Sequence, residues 1–176
     1  AWRCFQREGV QATRVEHILA ESGLAASALY RYFRNKDDII LAAIRTSLQG
    51  ISQVLEPLVE GRDDLDPAAF VEQVARAVRL FSQRSGYNLM SIAIHGWSEA
   101  QRSPDVRTVL AEFYSAFRNR LAARATRWQQ QGVVAANARP EDVAQLLLSL
   151  VLGDVVQATI IEGTRVDGTA RGLAAL

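Results

Sequence analysis

Residues Thr13–Lys36, TRVEHILAESGLAASALYRYFRNK, decide the fold. The first half predicts a short helix opening on Thr13 and Glu16. Their spacing is that of a capping box, in which each side chain satisfies an orphan backbone N–H of the first turn. Val15, Ile18 and Leu19 recur at helical spacing as an apolar stripe. Gly23 ends this helix, because it takes a positive φ without a Cβ clash. A second helix sets Leu29 and Phe33 one turn apart and turns Ser27, Ala28 and Arg31 away from the core. A short helix, a tight turn and a second helix with small exposed residues make a helix-turn-helix, which offers its second helix to the DNA major groove.

Outward from this stretch, no segment alternates β-branched residues, so the expected fold class is all-α. Asn35 caps a fourth helix over about 36–56, with Ile40, Ile44, Leu48, Ile51 and Leu55 buried and Pro57 just past its end. A polar linker over 61–66 leads to Asp66 and Pro67, a cap followed by proline at the first helical position. They open a fifth helix that turns Phe70, Val74, Val78 and Phe81 inward and ends near Gly86. A sixth helix covers about 87–97. Ser103 and Pro104 repeat the cap-plus-proline signal for a long seventh helix with Val106, Leu110, Phe113, Phe117, Leu121, Ala125 and Trp128 inward, stopped by Gly132. Pro140 opens an eighth helix to about Glu162, and a ninth follows Asp167. The eighth is apolar on nearly every face, and a helix of that kind requires burial on all sides. One side is expected against the core of its own chain and the other against a partner.

Composition narrows the function. Net charge is +1, and the first 50 residues hold seven cationic and five acidic side chains, so any DNA contact is local rather than a general basic coat. Cys4 is the single cysteine, which excludes an internal disulfide and a cysteine-type zinc site. His17 and His95 are the only histidines, and no glycine-rich phosphate loop or nucleophile elbow is present. No catalytic residues, metal or cofactor are therefore expected. No apolar run reaches the roughly 18 residues of a membrane span, and the longest, 146–161, is interrupted by Ser149, Gly153, Asp154 and Gln157. The expectation is a soluble cytoplasmic protein that does not bind a membrane.

The first 48 or so residues resemble the DNA-binding domain of the tetracycline-repressor (TetR) family. The resemblance rests on Phe5, Gly9, Ile18, Gly23, Leu29, Tyr30, Tyr32, Phe33 and Lys36 in register. HGWSEAQRSPDVRTVL and LLLSLVLGDVVQ further along resemble the regulatory domain of its AcrR/BetI-like branch. Three positions depart from the pattern. Arg14 replaces a threonine that touches phosphate, Ala25 replaces the serine cap of the recognition helix, and Ser27 stands where glycine is common. In the register of that family the chain begins in mid-helix and without methionine, so further residues are expected before Ala1.

The resemblance implies a three-helix helix-turn-helix domain over 1–48 and a helical-bundle regulatory and dimerisation domain over 49–176. Its implied partners are a double-stranded DNA operator, a second copy of the chain, and a hydrophobic or aromatic small-molecule effector. The DNA-binding candidates are Thr13, Arg14, Ala26, Ser27, Ala28, Tyr30, Arg31, Tyr32 and Lys36. Lys36 stands at a helix start, where the macrodipole disfavours a cation by roughly 0.3–1 kcal/mol. A lysine that bears that cost in an arginine-rich chain points to phosphate. Arg31 reaches either guanine O6/N7 or a phosphate. Tyr30 and Tyr32 either bond phosphate or pack in the core, core packing being the stronger alternative at Tyr32 than at Tyr30. The effector candidates are Phe81, Met90, Ile94, His95, Trp97, Tyr114, Phe117 and Gln157, and the dimer candidates are Leu147, Leu148, Val151, Val155 and Thr159. The leading reading is a ligand-released repressor. A constitutive regulator whose C-terminal domain only dimerises, and an enzyme with a relict helix-turn-helix, are the alternatives.

Overall fold

The computed structural model describes residues 1–61, 65–86, 88–165 and 167–175, and all regular structure among them is helical. The elements are α1 (Trp2–Glu8), α2 (Val15–Ser22), α3 (Ala26–Tyr30), α4 (Lys36–Glu60), α5 (Pro67–Ser85), α6 (Leu89–Ala100), α7 (Pro104–Gln130), α8 (Pro140–Ile160) and α9 (Gly168–Ala174). The cap signals in the sequence account for the starts of α4, α5 and α7. Asn35, Asp66 and Ser103 each accept a backbone N–H three residues on, from Asp38, Ala69 and Val106. Gly23 and Gly86 end α2 and α5 in the left-handed region, at φ 67° and 72°.

Two starts and one end differ from the sequence reading. Thr13 does not cap α2. Its hydroxyl donates to the Gly9 carbonyl at 2.7 Å, so that donor is spent on the preceding turn, and Arg14 occupies the cap position without a side-chain bond. The sixth helix begins at Leu89, because Asn88 accepts from the N–H groups of Met90 and Ser91; Tyr87 lies outside the described residues. Pro57 lies inside α4 rather than past it. Arg124 accounts for the extension: it is buried, donates to Leu58 O at 2.7 Å and Gly61 O at 3.1 Å, and stacks on Phe70 and Trp128. A guanidinium at the orphan carbonyls of a helix C-terminus opposes the macrodipole. Residues 62–64 of the expected linker lie outside the described residues.

Two apolar cores form, and α4 contributes to both. Trp2, Phe5, Ile18 and Leu29 pack with Ile39, Ile40 and Ile44 of α4 and with Ile92, Val106 and Leu110 of α6 and α7. Ile51, Leu55 and Val59 of α4 pack instead with Phe70, Val74, Phe117, Leu121, Trp128 and Leu147. Cys4 is wholly buried in the first core. Helices α7 and α8 pack along each other, and α9 lies against α5.

The eighth helix is not covered within the chain. Ala144 and Leu147 are its buried residues, while Leu146 is 53% and Ile160 70% exposed. By length and composition α8 is apolar enough to cross a membrane, which the interrupted run in the sequence had not suggested.

Candidate DNA-reading surface and ligand cavity

The turn between α2 and α3 and the turn after α3 place most of the expected DNA-reading residues on one exposed surface. Arg14, Ala26, Ser27, Tyr30, Arg31 and Tyr32 are exposed and Ala28 is half-buried. Leu29 anchors α3 from beneath, and Phe33 is held by its N–H donating to Leu29 O at 3.1 Å. Tyr32 is 70% exposed, which removes the alternative of core packing. The helix ends at Tyr30, and the turn that follows swings Tyr32 outward. Its ring lies 5.0 Å beneath the Arg31 guanidinium, and Arg31 also donates to its hydroxyl at 3.0 Å. Thr13 is the exception on this surface: it is 1% exposed and bonded to Gly9, so it supports the turn from inside and cannot reach a phosphate.

Lys36 opens α4 and donates to the Gln11 carbonyl at 2.8 Å. An ammonium has three donors, so this contact fixes the head group and leaves two donors for an anion. Beside it, Arg34 grips Asp38 through its backbone N–H, Nε and Nη2. The Arg34 guanidinium and backbone N–H hold the Asp38 carboxyl below its ordinary range. Ala25 leaves α3 without a side-chain cap, as its place in the sequence implies.

The second feature is an apolar cavity of about 90 Å³ between α4, α5, α6, α7 and α8. Met90, Tyr114 and Phe117 line it as expected. Five expected residues do not. Helix α6 turns Leu89, Met90, Ala93 and Gly96 to the cavity, and this register carries Ile94, His95 and Trp97 to other faces. Trp97 stands behind Tyr114, donating its indole N–H to the phenol at 2.8 Å. Burial pushes the Tyr114 phenol above its usual range, opposed by that bond. Phe81 lies over α4 at Gly50, where a Cβ would come within 2.7 Å of its ring. Gln157 is exposed on the outer side of α8, its carbonyl accepting from Ile161 N–H and Thr164 Oγ1.

Most of the dimer candidates on α8 face the interior of their own chain. Leu147 is buried in the core of its own chain, and Leu148, Val151 and Val155 line the cavity. Only Thr159 of that set is exposed. The outward face is instead Leu146, Ser149, Val156, Gln157 and Ile160, which successive turns bring to one side.

Sequence reasoning missed two polar cavity residues. Ser47 on α4 lines the main cavity, is 2% exposed, and its hydroxyl has no hydrogen-bond partner. A helical serine ordinarily bonds the carbonyl four residues back, here Ala43, but Trp2 Nε1 already donates to that oxygen at 3.2 Å. A second chamber of about 30 Å³ adjoins the first and shares Val78, Met90, Val151 and Val155 with it. Asp154 lines this chamber with one carboxylate oxygen accepting from Thr169 Oγ1 and the other buried without a partner. No residue spacing in the sequence marks either position, because each is polar only in relation to what its neighbours leave unbonded.

Residues 1–43 match the model of bacterial regulatory proteins of the tetR family, and residues 72–175 match that of the BetI-type transcriptional repressor C-terminal domain. The nicotine-responsive transcriptional repressor HdnoR of Paenarthrobacter nicotinovorans is 28% identical over 165 residues, covering 89% of this chain and 78% of the relative. A transcriptional regulator from Saccharomonospora viridis, solved in complex with choline, superimposes with a TM-score of 0.78 at 22% identity over 99% of this chain and 89% of that one. FadR of Bacillus subtilis, solved with stearoyl-CoA, gives a TM-score of 0.75 at 18% identity over 100% of this chain and 92% of that one. The matches to the two family models take in the helix-turn-helix and the α5 to α8 walls of the cavity, and the chain belongs to the TetR family of DNA-binding transcriptional regulators.

Proposed function

We propose that the chain is a cytoplasmic, homodimeric repressor that leaves a palindromic operator when a small hydrophobic effector enters the cavity. One observation carries this reading: α4 begins at Lys36 on the DNA-reading surface and supplies Ile44, Ser47, Leu48, Ile51 and Leu55 to the cavity wall. The reading divides the chain at about residue 48, where α4 passes from the first core to the second.

Cavity size favours a wedge. An apolar cavity of about 150 Å³ accepts benzene, and drug-sized ligands occupy about 300–1,000 Å³. At about 90 Å³ the present cavity is too small for an aromatic effector, so entry must part the helices that line it. Helix α4 has 25 residues. At about 1.5 Å per residue, a tilt of roughly 5° about its middle moves either end by roughly 1.6 Å. In a dimer, displacements of that kind at both recognition elements spoil the match to two successive major grooves. The effector must prefer the displaced form, with a coupling of about 1–3 kcal/mol, and operator DNA must weaken effector binding by the same factor. That HdnoR is named nicotine-responsive, and that the two solved structures hold choline and stearoyl-CoA, supports an organic effector for this chain too.

The two-fold partner is assigned to the outward face of α8. Leu146, Val156 and Ile160 are exposed there, and they extend to Ile161 just beyond the helix. Exposed apolar area of this kind on a soluble protein calls for a partner. On the DNA side the reading assigns Lys36, Tyr30, Tyr32 and Arg14 to phosphate and Arg31 to a base or phosphate, with Ala26, Ser27 and Ala28 in the groove. The test is operator release by a panel of small organic compounds. Wild-type protein should be released by at least one compound, while Ala93→Leu, which fills the cavity, should stay bound at the same concentration. Release of both proteins alike would place the effector elsewhere.

A further inference from the structure

Among the described residues, Asp154 is the one carboxylate that lines either chamber of the cavity. Its surroundings are mainly aliphatic, Val71, Val74 and Val78 of α5 and Val151 and Val155 of α8, with Thr164 and Arg165 as the other polar residues of the wall. Thr169 of α9 donates to one carboxylate oxygen and so fixes its direction. The other oxygen is buried and has no hydrogen-bond partner. Among the described residues Arg165 is the one cation lining the same chamber, and its guanidinium is engaged by Asp167 at 3.2 and 3.3 Å.

A buried carboxylate oxygen without a donor costs free energy, and the cost is recovered when a donor arrives. A cationic N–H is the strongest such donor, because a charge-assisted bond is about twice as strong as a neutral one. The route from the main chamber is short. Met90 and Val151 belong to the walls of both chambers. A methionine side chain is unbranched and adapts its shape readily. A turn of Met90 would join the two spaces into one cavity, apolar for most of its length and anionic at the α9 end.

We infer that the effector is an organic amine, its apolar body in the main chamber and its protonated nitrogen donating to Asp154. This deepens the proposed function and rests on it, since it takes the cavity to be the effector site. Burial pushes the Asp154 carboxyl above its ordinary range, against the Thr169 bond.

The test compares two compounds of the same shape, N,N-dimethylbenzylamine, protonated at neutral pH, and isobutylbenzene, which is uncharged. Binding to the full-chain protein is followed by tryptophan fluorescence and by thermal shift. The wild type should bind the amine at least about tenfold more tightly than the hydrocarbon. Asp154→Asn should erase the preference by weakening the amine, with hydrocarbon affinity little changed. A circular dichroism spectrum and melting curve of the variant separate this outcome from misfolding. Equal affinity of the wild type for both compounds overturns the amine assignment while leaving the apolar cavity as the effector site. A preference that survives in Asp154→Asn places the recognition of charge on another residue and overturns it as well. Amine binding to neither protein does the same.

Discussion

Gln11 donates its side-chain amide to the Glu99 carboxylate at 3.0 Å, joining the turn ahead of α2 to the last turn of α6. The backbone carbonyl of the same residue accepts from Lys36. One residue therefore stands between the lysine assigned to phosphate and the helix that presents Met90, Ala93 and Gly96 to the cavity. Glu99 is buried, with Arg102 at 3.4 Å as its other partner. Gln11→Ala should lower unfolding stability by about 1–3 kcal/mol, the cost of removing a partner from a buried polar group. Urea denaturation measures this. An unchanged midpoint would mean that water replaces the amide at no cost.

Ser47 has a hydroxyl buried at the cavity wall with nothing to bond. Ser47→Ala should leave the ligand-free protein as stable or up to about 1 kcal/mol more stable, because an unmet polar group is removed. For an effector that offers this hydroxyl a hydrogen bond, affinity should fall up to about tenfold. Thermal melts with and without effector separate the two effects, and destabilisation of the free protein would show that the hydroxyl is bonded in solution.

Lys36 and Arg31 should differ in kind. Lys36→Ala should weaken binding to every DNA sequence similarly and reduce the salt slope by about one unit, as loss of a phosphate contact does. Arg31→Ala should cost about 1–3 kcal/mol at one operator position if it reads guanine. Fluorescence anisotropy over a salt series, on operator variants, measures both. Equal losses on all variants assign Arg31 to phosphate.

Leu146 and Leu147 are neighbours with opposite fates. Leu146→Asp or Ile160→Asp should yield folded monomers by analytical ultracentrifugation, because both side chains lie outside the core of their own chain. Leu147→Asp should prevent folding, since an unpaired carboxylate would enter a packed core. A Leu146→Asp dimer as tight as the wild type would exclude the outward face of α8 as the interface.

The raised Asp154 carboxyl sets a direction for stability against pH. Its folded pKa exceeds the unfolded one, so the ionised form burdens the folded state above that range, and protonation relieves it as pH falls. Asp154→Asn should therefore melt higher than the wild type at pH 7, and the gap should close on acidification towards pH 4. A gap of the opposite sign at neutral pH would mean that Asp154 is paired with a cation in solution.

The sequence carried the helices better than their faces. Asn35, Asp66 and Ser103 announced three helix starts because a cap is a local bond between residues three apart. Thr13 carried the same signal and failed, since Gly9 offers its hydroxyl an acceptor one turn back. Helix α8 was legible as apolar all round, but uniform apolarity carries no direction. Whether Leu147 or Leu146 faces the core is decided by where α7 lies. The expected cavity residues on α6 failed in their facing, because the helix is apolar over most of its surface and it is the packing of its neighbours that turns Met90, Ala93 and Gly96, and not Ile94 or His95, to the cavity. The exposure of the residues expected to read DNA was legible because the glycine turn and Leu29 fix the presentation of α3 from within a few residues.

The core beneath the helix-turn-helix is completed by residues from far along the chain. Ile92, Ala100, Val106, Val109 and Leu110 close over Phe5, Ile18 and Ile40. A gene fragment ending after α4 would thus encode the helix-turn-helix with part of its foundation absent. Chimeras that exchange operator preference between relatives should succeed when α6 and the first turns of α7 travel with the N-terminal segment. Grafting α1 to α3 alone should produce insoluble protein.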